Sequence, residues 1–151
     1  MVYVDGFVLP VPKKNLPAYQ RMAQKASRLW QEHGALEYRE CVGDDLDVKM
    51  GRSFTRQLKL KRGETVVFAW IVYKSRAHRD QVNAKVMKDP RMAGMDTKGM
   101  PFDIKRMVYG GFKTLVDLGQ GAASGRGARQ PAREPKRNGH AELTEPQPAA
   151  H

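Results

Sequence analysis

Residues Thr65–Ser75 read Thr-Val-Val-Phe-Ala-Trp-Ile-Val-Tyr-Lys-Ser, the most apolar run of the chain, and lead directly into Arg76-Ala77-His78-Arg79-Asp80. The two-residue period of a strand puts Val67, Ala69, Ile71 and Tyr73 on one face and Val66, Phe68, Trp70 and Val72 on the other. A strand covered on one side only alternates apolar with polar residues; this one does not, so both of its faces need a cover. The nature of those covers decides the fold, and the polar exit Arg76–Asn83 is the first place to look for chemistry.

The remaining elements follow from pattern. Residues 2–11 form a first strand, with Tyr3, Asp5, Phe7 and Leu9 on one face and Val2, Val4, Gly6 and Val8 on the other. Gly6 inside a strand marks a bulge or a close approach. Asn15 is placed to cap a helix that carries Pro17 in its first turn. Steps of three and four then align Leu16, Tyr19, Met22, Ala23, Ala26, Leu29, Trp30 and His33, and Gly34 is placed to end the helix. Residues 35–42 are a second strand with a carboxylate on each face, Glu37 and Glu40. A charged connection over 43–64 has Ser53 as cap for one helical turn and closes on Lys61-Arg62-Gly63-Glu64. Ser75 caps a second helix, which Pro90 ends near Lys88; its best stripe is Arg79, Val82, Asn83, Val86 and Met87. After a loop rich in glycine and methionine, the pattern predicts a last strand over Arg106–Leu118.

From Gly119 onward the chain is rich in Gly, Pro, Ala and Arg, with Leu143 its one large apolar side chain. Such a segment buries too little to offset its ordering entropy, which predicts a folded domain over 1–118 and a disordered tail over 119–151. The net charge is +11; Arg126, Arg129, Arg133, Lys136 and Arg137 against Glu134, Glu142 and Glu145 leave the tail only +2, so the domain keeps +9. That excess eases contact with polyanions, yet its cations (Lys13, Lys14, Lys59, Lys61, Arg62, Lys85, Lys88) are dispersed as on a solvated surface. The single Cys41 excludes a disulfide framework or a cysteine metal cluster. Asp5 in the first apolar run argues against a signal peptide, and no apolar run reaches the roughly 20 residues that span a bilayer. The expectation is a cytoplasmic protein without membrane contact.

The element order β-α-β-β-α-β is the ferredoxin-like arrangement, an α+β fold with two helices on one face of a four-stranded antiparallel sheet. Two helices cannot cover the other face, which is also apolar, so a second copy is expected to bury it as a two-fold homodimer.

Four segments carry a resemblance: Tyr3-Val4-Asp5-Gly6-Phe7, Trp30-Gln31-Glu32-His33-Gly34-Ala35-Leu36-Glu37-Tyr38, Phe68 through Asp80, and Lys105-Arg106-Met107-Val108-Tyr109-Gly110-Gly111-Phe112. In them the chain resembles the YbaA-like family of uncharacterised bacterial proteins over residues 1–118, and the tail has no counterpart. The resemblance implies the dimeric α/β-barrel superfamily, which includes cofactor-independent monooxygenases, haem-degrading enzymes, chlorite dismutase-like proteins and stress-responsive proteins. It implies no particular activity.

His33 stands at the end of the first helix, either as a packed cation at the helix C-terminus or as a proton carrier with Glu37 or Glu40 nearby. Arg79 and Asn83, four apart, share one helix face beside His78; they either form a structural network with a buried carboxylate such as Glu40, or bind and orient an anionic oxygen. The expected catalytic set is His33, Arg79 and Asn83, with Glu37, Tyr38, Glu40, Trp70, His78 and Tyr109 as binding residues; Tyr38, Trp70 and Tyr109 are expected either as flat walls or as core. His33, His78, Glu37, Glu40 and Cys41 follow no recognised ligand spacing, so neither metal nor cofactor is expected. The leading expectation is a small-molecule-binding dimer of cofactor-free monooxygenase or isomerase type, its status as an enzyme left open. A stress-related or scaffold dimer and a basic RNA-associated module are the alternatives.

Overall fold

The structure, a computed structural model, describes residues 1–94 and 99–119. In chain order the elements are β1 (Tyr3–Pro12), α1 (Leu16–Glu32), β2 (Glu37–Val42), α2 (Phe54–Gln57), β3 (Glu64–Tyr73), α3 (Arg76–Lys88) and β4 (Val108–Lys113), with short 3-10 turns at Lys13–Asn15 and Ile104–Arg106. The sheet order is β2-β3-β1-β4, and each neighbouring pair is antiparallel. This is the ferredoxin-like α+β arrangement, with α2 an extra single turn in the connection between β2 and β3. The sheet is open: β2 and β4 are its edges, and it does not close on itself as a barrel. The tail expected from Gly119 lies, apart from Gly119 itself, outside the described residues.

β1 and β3 form the centre, in register from Tyr3 opposite Tyr73 to Pro12 opposite Glu64. On the helix side, Leu9, Val11, Val67 and Ala69 pack with Tyr19 and Ala23 of α1, while Ile71 and Tyr73 pack with Leu29, Ala35 and the α3 residues Val82 and Val86. Each fully buried Leu, Val or Ile side chain among them stabilises the fold by roughly 1.5–3 kcal/mol. The reverse side carries Val4, Val8, Phe68, Trp70, Val108 and Phe112 around a shallow apolar depression of about 630 Å³. Phe68, Val108 and Phe112 are 45%, 58% and 61% exposed there, so the chain's own helices leave this face open.

Local signals explain most boundaries. Ser53 Oγ accepts from Arg56 N–H, and Ser75 Oγ accepts from His78 N–H at 3.1 Å, so both predicted serine caps form. Gly34 ends α1 with φ +115, and Gly63 takes the turn into β3 with φ +81. Gly6 is not a bulge, since its register with Trp70 and Gly110 is regular; the Phe112 ring lies over it, 3.5 Å from where a β-carbon would stand.

Four expectations need correction. Asn15 stands at the N-cap position of α1, but its side chain makes no capping bond, and its amide donates instead to Pro101 O at 3.0 Å. β2 begins at Glu37, although Leu36 N–H still donates to Val72 O at 2.8 Å. Met87 is 63% exposed, so the buried stripe of α3 narrows to Val82 and Val86. β4 spans Val108–Lys113, not Arg106–Leu118: Arg106 lies in the 3-10 turn, and at the other end Lys113 pairs with Tyr3, where β1 begins. Thr114 makes the last contacts, its N–H and its hydroxyl both donating to Val2 O, and Leu115, Val116 and Leu118 then stand in the open.

Tyr3 folds across Gly111, whose added β-carbon would come within 2.9 Å of the Tyr3 ring. Gly111→Ala therefore pushes the ring off the sheet and is expected to cost about 1–3 kcal/mol in urea unfolding, as overpacking does. Gly94→Ala, with nothing within 4 Å, is the control and should change stability by less than about 0.5 kcal/mol.

Candidate functional site

The outer side of β2 and the adjoining face of α1 enclose a cleft of about 450 Å³. Helical spacing sends Leu16, Tyr19, Gln20, Ala23, Gln24 and Ser27 to it from α1, and strand alternation sends Tyr38, Glu40 and Val42 from β2. Glu40 lies opposite Ala69, whose small side chain leaves room above the sheet. The Tyr19 hydroxyl donates to Glu40 Oε2 at 2.6 Å and the Tyr38 hydroxyl to Glu40 Oε1 at 2.9 Å. Burial, and then the neighbouring carboxylate, push both phenols well above their ordinary range, so both stay protonated donors. Tyr19 is steadied edge-on by Phe102 at 5.7 Å, and Tyr38 by Trp30 at 6.3 Å. A carboxylate with two short hydroxyl donors is a fixed acceptor in an otherwise neutral cleft.

Arg79 and Asn83 belong to a second polar cluster, beneath α3. Arg79 Nη1 donates to Asp5 Oδ1 at 2.9 Å, its Nε donates to Asp80 at 2.8 Å, and its guanidinium lies over the Tyr3 ring at 5.1 Å. Asn83 Oδ1 accepts from Trp30 Nε1 at 3.1 Å and from the Tyr73 hydroxyl at 3.2 Å. Burial raises the Asp5 carboxyl above the usual aspartate range despite the attraction of Arg79. Burial and the Asp5 charge likewise push the Tyr73 phenol up.

His33 lies apart from both clusters. Its Nε2 is 2.8 Å from Asp89 Oδ2, and Asp89 and Glu32 together hold Arg91. Hydrogen bonds from Arg91 and then His33 keep the Asp89 carboxyl well below its ordinary range. His78 Nδ1 accepts from Lys74 N–H at 3.0 Å, and partial burial, then Lys74 and Lys85, lower its pKa below the ordinary histidine value.

The residues singled out in the sequence thus divide among several places. Tyr38 and Glu40 meet in the cleft; Arg79 and Asn83 meet beneath α3; His33 and His78 stand elsewhere. Glu37 is on the reverse side of β2, where it accepts from Trp70 Nε1 at 3.1 Å and sits 3.4 Å from Arg39. Tyr109, 68% exposed, stacks on Phe7 from the opposite edge strand. Tyr38, Trp70 and Tyr109 therefore do not form a common wall. The carboxylate that meets Arg79 is Asp5, not Glu40. Tyr19 was legible only as a stripe position; the signal for more was its hydroxyl among Leu16, Met22 and Ala23. Among the described residues no three His, Cys, Asp or Glu side chains gather as a metal site, and no helix is long and apolar enough to cross a membrane.

The fold with this cleft defines a small α+β domain of the ferredoxin-like kind. The chain belongs to the family described as "Protein of unknown function (DUF1428)", which matches residues 2–104. It is 46% identical over 117 residues to "Uncharacterized protein YbaA" of Escherichia coli (strain K12), across 78% of this chain and 99% of that protein. The proteins of the same name from Escherichia coli O157:H7 and Shigella flexneri match to the same extent.

Removing the cation beside Asp5 tests the second cluster. Arg79→Met should cost about 3 kcal/mol at pH 7 in urea unfolding, because it leaves a buried carboxylate unpaired. Without Arg79 the Asp5 carboxyl rises further, and such a group adds stability that is lost as pH rises through its folded-state value. The deficit should therefore shrink between pH 7 and pH 5.

Proposed function

We propose that the chain is a small-molecule-binding protein whose ligand lies in the cleft between α1 and β2. One observation carries this: the Glu40 carboxylate, fixed by the Tyr19 and Tyr38 hydroxyls, faces a cleft of about 450 Å³. That volume is within the range of small-ligand sites, and such sites pair an apolar lining with a few fixed polar groups. If the bound molecule reacts, Glu40 is the group placed to take a proton, which suits a cofactor-free isomerase-type step better than a redox one. Asn83 then serves as a positioning residue through Trp30, which packs on Tyr38, while Arg79 is held by Asp5 and Asp80. A cytoplasmic setting accords with the exposed free thiol of Cys41.

A homodimer through the open sheet face belongs to the same proposal. Phe68, Trp70, Val108 and Phe112 form a contiguous apolar surface, and a two-fold axis brings the same surface to itself. Light scattering on the eluting protein should give twice the chain mass, and Phe68→Asp should halve it. A monomeric wild-type chain overturns the dimer and favours the RNA-associated alternative, which needs these aromatic rings exposed.

The ligand site is tested with a panel of small amphipathic molecules followed by amide NMR of the whole chain. Shifts should centre on residues 16–27 and 38–42, and Glu40→Gln with Tyr19→Phe should weaken them at least tenfold, or about 1.4 kcal/mol. Shifts that centre elsewhere, or none across the panel, overturn the cleft as the site.

A further inference from the structure

The half-buried and buried carboxylates of the described residues follow a rule with one exception. Asp5 meets Arg79 at 2.9 Å, Glu64 meets Arg106 at 2.6 Å, Asp89 meets Arg91 at 2.9 Å, and Glu37 has Arg39 at 3.4 Å. Glu40 takes part in no ion pair among the described residues, in a chain with 27 Lys and Arg. Its oxygens receive only the neutral hydroxyls of Tyr19 and Tyr38. The cleft around it is lined by Leu16, Ala23, Val42 and Val67, with the neutral Gln20, Gln24 and Ser27 the polar residues contributed by α1. A carboxylate drawn partly out of water is stabilised most by a cation, and each oxygen that takes one hydroxyl keeps a lone pair for another donor.

Resting on the cleft as the ligand site, we infer that its ligand is an organic cation, a primary amine carried on an apolar body. The ammonium supplies the counter-charge that the chain gives to its other half-buried carboxylates, and two of its N–H donors match the two lone pairs left on Glu40. The alkyl or aryl body lies against Leu16, Ala23, Val42 and Val67. Arginine-like ligands fit less well, because the two tyrosine hydroxyls already occupy the paired approach that a guanidinium fork uses. An acid is rejected, since its charge would stand beside Glu40 with no cation lining the cleft.

Three matched probes test the class on the unaltered full chain: 2-phenylethylamine, 2-phenylethanol and 3-phenylpropanoate, each titrated by amide NMR and calorimetry at pH 7. The amine should bind at least about tenfold more tightly than the alcohol, because a charge-assisted hydrogen bond is roughly twice as strong as a neutral one. The carboxylate should give no saturable shift at residues 38–42. In Glu40→Gln the advantage of the amine over the alcohol, both measured on that variant, should disappear. Equal binding of amine and alcohol, or an amine advantage that survives Glu40→Gln, overturns the amine while leaving the cleft standing as a site. Shifts from all three probes that centre outside residues 16–27 and 38–42 overturn the cleft and the amine together.

Discussion

The ladder between β1 and β3 is the constraint on which everything else rests. From Tyr3 opposite Tyr73 to Pro12 opposite Glu64 it runs without a bulge, so side chains alternate strictly between the helix side and the reverse side. A slip by one residue would carry Leu9, Val11, Val67 and Ile71 away from α1 and α3 and turn Phe68 and Trp70 inward. The fixed register also brings Asp5 under α3, where Arg79 reaches it, and places Glu37 and Glu40 of the neighbouring β2 on opposite sides.

The same ladder explains which features were readable from sequence. Strands that are apolar on both faces announce a central position, and the stripe of α1 announces a buried helix face, so the order of elements followed. The caps at Ser53 and Ser75 and the left-handed Gly34 were local, and local chemistry is legible. The end of β4 was not. Thr114–Leu118 is as apolar as a strand should be, but β1 begins at Tyr3 and gives it no rung, and that limit belongs to the partner strand.

The site was legible in the same uneven way. Tyr38 and Glu40 alternate correctly on β2, so they were candidates from pattern alone. What pattern cannot supply is distance between elements far apart in the chain. Arg79 was expected to find a buried carboxylate; Asp5, separated from it by 74 positions, is the partner because the β1–β3 register puts it there. Tyr19 entered the stripe of α1 as an apolar residue, and only the approach of β2 gives its hydroxyl the Glu40 oxygen to bond. His33 was drawn away by Asp89 and Arg91, which lie beyond α3 and carry no signal in the first helix's own sequence.

The alternation of β2 has a consequence for how function is distributed over the molecule. Tyr38, Glu40 and Val42 face α1, whereas Glu37, Arg39 and Cys41 pair with Val72, Trp70 and Phe68 and share their side of the sheet. The Trp70 indole bonds Glu37, and the Arg39 guanidinium lies 5.8 Å from the Trp70 ring centre, so the polar groups of that side are tied to the apolar face and not to the cleft. Tyr19, Tyr38 and Glu40 thus lie on the helix side and Phe68, Trp70 and Phe112 on the other, with Cys41, on the side of Phe68, also bordering the cleft. The cleft and the open face are joined through the β2–β3 ladder, and β3 is paired on both edges. The open face and the Glu40 cleft thus rest on different side chains, and a substitution such as Phe68→Asp alters the first without touching Tyr19, Tyr38 or Glu40.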